Sequence, residues 1–179
     1  MKKSIYLIAI FFLVLAGCEK QPKQYPNVSI EQVFQDLKWD DNYAKVKNIF
    51  EKKYGLDFSG EIKLTQGKHK RNLKAFKFEG GKISGLKSQS WSVTFDNDTL
   101  IDVLVGIVSE TSDKCAKDIL ALRDTINNLP YEKFPRINYE WILHDKGKAI
   151  GRIQMMNGFG KGIAIYFSTN KFINKYSYM

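Results

Sequence analysis

From Trp91 to Ile107 the chain alternates apolar and polar residues almost without a break. Trp91, Val93 and Phe95 recur at every second position, the run Asp96, Asn97, Asp98 interrupts them, and Ile101, Val103, Val105 and Ile107 resume the same period. A period of two places successive side chains on opposite faces of an extended strand, whereas a helix would scatter the same residues around its circumference. The pattern predicts a pair of antiparallel strands joined at the DND turn and buried on one face. The second strand is apolar on much of its other face as well, which puts it at the centre of a sheet.

Upstream, Ser29 and Gln32 fit a capping box and Val28 and Val33 a hydrophobic staple, so a helix begins at Ile30 and buries Ile30, Val33, Phe34 and Leu37. Asp40 or Asp41 caps a second helix, in which Tyr43, Val46, Ile49, Phe50 and Lys53 stand three or four apart before Gly55. Beyond Leu56 the period changes to two. Phe58, Ile62 and Leu64 mark one strand, Leu73 to Phe78 another, and Gly80-Gly81 a turn. Over residues 113–129, Cys115, Ile119, Leu122, Ile126 and Leu129 form one helical stripe, stopped by Pro130. Three further strands are expected from Ile137, Tyr139, Trp141 and Leu143, from Ile153 and Met155, and from Ile163, Ile165 and Phe167. The expected fold is α+β: an N-terminal helical hairpin, an antiparallel sheet of about four strands, a third helix and a C-terminal three-strand meander. Residues 28–179 are expected as one domain, because residues 28–108 and 109–168 would each have few apolar side chains to bury alone.

Histidine is scarce, which narrows the chemistry. His69 lies in GKHKR, Gly67 to Arg71, a hairpin tip or an anion-binding loop, and His144 shares the outward parity of Asn138 and Glu140 at a strand end. With Cys115 on a core stripe and His144 facing out, Cys115, His144 and Asp145 do not converge on a triad. No Cys/His metal set can be assembled, and the carboxylate spacing gives no acid–base pair. Gly158 to Gly162, GFGKG, has the look of a phosphate loop, but a strand follows it where such a loop needs a helix N-terminus. No catalytic residue, cofactor site or metal ligand is assigned. The candidate partner-binding residues are Lys68, Lys70 and Arg71, and Phe172, Tyr176 and Tyr178 in the basic, aromatic tail of residues 170–179. Aromatic and cationic groups together suit a membrane interface or a protein contact.

The start of the chain has a different character. Lys2 and Lys3 precede an apolar run from Ile5 to Ala16 that is too short to cross a bilayer, and small residues close it: the order of a secretory signal peptide. Leu15, Ala16, Gly17 and Cys18 resemble the lipobox of bacterial lipoproteins. The resemblance covers only this N-terminal stretch. It implies cleavage between Gly17 and Cys18, a thioether-linked diacylglycerol on Cys18 and acylation of the new amino terminus, so that residues 1–17 are removed and residues 18–27 form a lipidated tether. With Pro22 and Pro26 in it, Glu19 to Asn27 would hold the domain some 25 to 30 Å above the lipid, at about 3 Å per residue. Glu19, where an aspartate would imply inner-membrane retention, favours the outer membrane facing the periplasm in a two-membraned bacterium; otherwise the outer face of the cell membrane is implied.

Loss of Lys2 and Lys3 leaves 26 basic against 19 acidic residues, a formal charge of +7. For an exported chain without a nucleic-acid signature, that charge suits anionic lipid, sugar or protein surfaces better than nucleic acid. A single cysteine, Cys115, would then remain, so no intramolecular disulfide is expected. Together these features point to a non-enzymatic protein anchored through Cys18 that binds another envelope component by its sheet face or its tail. Two alternatives stay open: an inhibitor or immunity protein whose basic loop meets an acidic secreted enzyme, and a hydrolase of envelope polymers whose carboxylates meet only in the fold.

Overall fold

In the computed structural model, which describes residues 23–64, 72–137, 139–158 and 160–168, the alternating run is the centre of the molecule. The chain enters as β1 (Asn27–Val28), then α1 (Ile30–Asp36) and α2 (Tyr43–Asn48), which winds on into a π-helical turn over Ile49–Lys53. Next come β2 (Asp57–Ile62), β3 (Leu73–Glu79), β4 (Lys82–Ile83), β5 (Leu86–Asp96) and β6 (Thr99–Val108). Helix α3 (Ser112–Asn127) leads to β7 (Glu132–Ile137), β8 (Glu140–Asp145), β9 (Lys148–Asn157) and β10 (Gly162–Ser168).

Asn97 and Asp98, both left-handed at φ 50° and 60°, form the tight turn between β5 and β6, a conformation that suits the twist of a hairpin. Trp91, Val93, Phe95, Val103, Val105 and Ile107 are all buried against the helices. Along its other edge β5 pairs with β3 and then β4, a partner strand interrupted at Gly80-Gly81. Gly81 has φ +93°, and a Cβ there would stand 2.5 Å from Leu56 Cδ2, so both its backbone and its surroundings require glycine.

The expected α+β arrangement, with a sheet of about four strands and a separate three-strand meander, is not what forms. Among the described residues, ten strands join one curled mixed sheet, and the helices are three short elements. The difference lies at a seam: β10 pairs antiparallel with β6 along its whole length, Gly162 opposite Val108 through Ser168 opposite Asp102. The seam removes two exposed edges that separate sheets would leave. Three strands went unread for local reasons. β1 and β4 have two residues each, and β7, EKFPRI, contains a proline that argues against a strand except at an edge, which is where β7 lies. The strand expected from Ile137 through Leu143 is divided: Ile137 ends β7, and β8 begins at Glu140 after Tyr139, left-handed at φ 68°.

Helix placement follows the amphipathic pattern. Ser29 caps α1 by accepting from Gln32 N at 3.0 Å, and Thr111 caps α3 by accepting from Lys114 N at 3.1 Å. The cap of α2 is Asn42, which accepts from Lys45 N, rather than Asp40 or Asp41. Asp41 is instead buried, accepts from Lys38 N and pairs with Lys45. In the π turn, Tyr54 N donates to Ile49 O, and Phe50 and Tyr54 both end fully buried beside Trp91. Cys115, Ile119, Leu122 and Ile126 face the core as their spacing predicts. Phe34 of α1 packs edge-on against Phe167 of β10, and Trp39 Nε1 donates to Ile150 O at 2.7 Å, so the N-terminal helices reach across the seam. Buried side chains from both sides of the seam make one contiguous core.

Candidate functional site

Cross-strand partners in a sheet share a face, so the register identifies what lies opposite the core. One row runs Thr94, Asp102, Ser168, Arg152, Ile142 and Phe134 across β5, β6, β10, β9, β8 and β7. The next runs Ser92, Leu104, Tyr166, Gln154 and Glu140. Their strand neighbours Val93, Val103, Phe167, Ile153 and Trp141 are all core residues, so these rows occupy the face away from the helices.

That face carries a sheltered charge cluster. Ser168 Oγ donates to Asp102 Oδ1 at 2.9 Å. Arg152 Nη1 lies 3.3 Å from Glu140 Oε1, with only 14% and 9% of the two side chains exposed, and Nη2 donates to Gln154 Oε1 at 3.1 Å. Among the described residues, Arg152 Nε is buried without a hydrogen-bond partner, a state that costs about 1–3 kcal/mol. Burial pushes the Asp102 carboxyl up to about 6, while the Ser168 hydroxyl and the Arg152 charge oppose part of that rise. The cluster holds two carboxylates and one guanidinium, a local balance opposite in sign to that of the whole chain.

Asp102 on β6 and Glu140 on β8 are three strand spacings apart, about 14 Å between backbones, with Arg152 standing between. The sheet holds these three charged groups in a fixed frame. Apolar side chains border it: Met156 and Phe134 are about half exposed, Val108 slightly more so, with Tyr166, Leu104 and Ile142 half-buried. Beside Met156 a cleft of about 260 Å³ opens between α3 and β9, lined by Ala116, Leu120, Tyr139 and Met155.

Among the described residues, none of the candidates named from the sequence is a member of the charge cluster. Gly17, Cys18, Lys68, His69, Lys70, Arg71, Phe172, Tyr176 and Tyr178 lie outside the described residues. Cys115 is buried, its Sγ 3.8 Å from Gly162 O on the core side, while His144 sits half-buried on β8 against the Phe134 ring at 4.6 Å. The GFGKG segment turns into β10, with Gly158 N donating to Gly162 O at 2.8 Å. Glu140, expected to point outward, is off the core face but buried by its pairing with Arg152. Among the described residues, no group of three or more His, Cys, Asp or Glu side chains is placed to hold a metal ion, and no helix is long and apolar enough to cross a membrane. Asp102, Arg152 and Ser168 escaped sequence reasoning. The available signal was a lone charge inside each of two apolar strands, LIDVLV and IGRIQM.

Comparison with known proteins returns no match: no family model fits the chain, and neither a curated protein nor a solved structure is significantly similar to it.

Proposed function

We propose that this chain is an exported lipoprotein, anchored through Cys18, that binds another protein of the cell envelope without catalysis through the helix-free face of its sheet. The observation that carries the reading is the Asp102–Ser168 and Arg152–Glu140 cluster, sheltered on the helix-free face and bordered along the sheet by the more exposed Met156 and Phe134 and by Leu104 and Tyr166. Apolar and aromatic groups around a few buried polar ones are the make-up of a protein-binding hot spot. The anchor follows from the lipobox resemblance, and a lipid chain contributes about 0.8 kcal/mol per buried methylene.

Two experiments test the halves separately. Fatty-acid labelling is expected in the wild type and absent from Cys18→Ser, and persistent labelling of the variant would refute the anchor. For the face, Met156→Asp with Phe134→Asp changes exposed side chains only, so the fold is expected to persist. Crosslinked cells should yield an envelope protein with the wild type and lose it with the double variant; capture unchanged by the variant rules this face out.

A further inference from the structure

We infer that the end of the domain carrying β1 and β4 rests against an anionic lipid bilayer, an orientation that rests on the anchor proposed at Cys18. The segment read as a free tether is seated on the domain well before Asn27. Lys23 Nζ lies 2.6 Å from Asp57 Oδ1, and Tyr25 OH donates to Asp57 Oδ2 at 3.2 Å. The Tyr25 ring covers Gly80, where a Cβ would stand 2.4 Å from it, and Pro26 lies over Gly55. Asn27 accepts from Gly85 N at 2.7 Å, and Val28 is buried in β1.

The chain between Cys18 and Tyr25 is therefore Glu19 to Gln24, which even fully extended spans about 20 Å. That leash brings the β1–β4 end to the headgroups and leaves the rest of the molecule further out. The charge of this end fits a lipid surface. Asn27, Lys82 and Lys87 are successive cross-strand partners on one face, both lysines are exposed, and neither has a carboxylate partner among the described residues. Like charges directly opposite one another oppose sheet pairing, and an anionic surface relieves that repulsion. Each lysine near such a surface adds to the attraction, which falls off within a Debye length of roughly 8–10 Å. The candidate binding face, centred on β10 and β9, then stands several strands from the lipid, clear for a partner.

The test uses the full lipidated protein in phosphatidylethanolamine–phosphatidylglycerol vesicles that carry a nitroxide on the headgroup. A fluorophore is placed at Gln89→Cys, beside Lys87, or at Glu132→Cys on β7, roughly 30 Å away along the sheet; Cys115 is buried and stays unlabelled. Quenching is expected to be several-fold stronger at position 89 than at 132, and the difference should shrink when Lys82→Glu and Lys87→Glu are added. Equal quenching at the two positions, or stronger quenching at 132, overturns the orientation, and a ratio unchanged by the charge reversals overturns the role of the lysines. Mass spectrometry of the same sample separates the two readings. Absence of diacylglycerol on Cys18 sinks the anchor and the orientation together, whereas a lipidated protein with equal quenching sinks the orientation alone.

Discussion

Asp102 is a carboxylate in the most apolar strand of the molecule, and its surroundings make it expensive to ionise. In the folded protein it keeps its proton up to about pH 6, whereas in the unfolded chain its value is 3.8. Between those values the folded state binds more protons, so stability falls as pH rises from about 4 to 6, and the whole cost stands above pH 6. A shift of this size corresponds to roughly 2–3 kcal/mol. Asp102→Asn keeps an acceptor for Ser168 and removes the charge. Urea titration is expected to find the variant about 2 kcal/mol more stable than the wild type at pH 7.5 and equal to it near pH 4, and equal stability at both would refute burial as the cause. Arg152 makes the opposite case. Arg152→Met strands Glu140 as a buried charge, at an expected cost of about 3–5 kcal/mol, and adding Glu140→Leu should restore most of it. A double-mutant cycle reads this directly, and additive losses would show that the pair is not coupled.

Between elements, the sequence was informative wherever structure is local. The β5–β6 hairpin shows in its alternation and its DND turn, and the buried stripe of α3 in its spacing from Cys115 to Ile126. The β6–β10 pairing was not legible, because it joins residues more than fifty positions apart and either strand alone reads the same with or without the other. The candidate site depends on that seam, since Asp102 meets Ser168 only across it, so the cluster could not be read before the fold was known. Gly80-Gly81 lies between: a turn was legible there, but not that β4 resumes pairing with β5 beyond it. Gly81→Ala forces a Cβ onto Leu56 in a left-handed backbone, whereas at Gly85, φ +83°, a Cβ meets nothing within 4 Å. Gly85→Ala should therefore cost only the backbone strain, about 1–2 kcal/mol, and Gly81→Ala at least about 2 kcal/mol more. Equal losses in urea titration would show that the close packing of Leu56 on Gly81 contributes nothing.

At the scale of the whole molecule, the seam decides whether the chain is one cooperative unit or two modules that touch. The contacts across it are extensive. Seven cross-strand residue pairs join β6 to β10, Phe34 of α1 lies on Phe167, and Trp39 hydrogen-bonds Ile150 on β9. Neither half can unfold alone without exposing the core face of the other and the unpaired edge of β6 or β10, so two-state unfolding is expected. The tryptophans make natural reporters, because Trp91 is buried on β5 on one side of the seam and Trp141 is buried on β8 on the other. With Trp39→Phe in place, Trp141→Phe leaves only Trp91 to report, and Trp91→Phe leaves only Trp141. Each substitution has its own effect on stability, so the fluorescence of either variant is compared with its own far-ultraviolet circular dichroism. In both, the two signals should trace a single transition with the same midpoint. Amide exchange should be slowest in β5, β6 and β10 and faster in β2 and β7, which form the open margins of the sheet. If the tryptophan and backbone transitions separate in either variant, the two sides of the seam unfold independently, and the candidate binding face at their junction would have to form by docking of two separately folded modules.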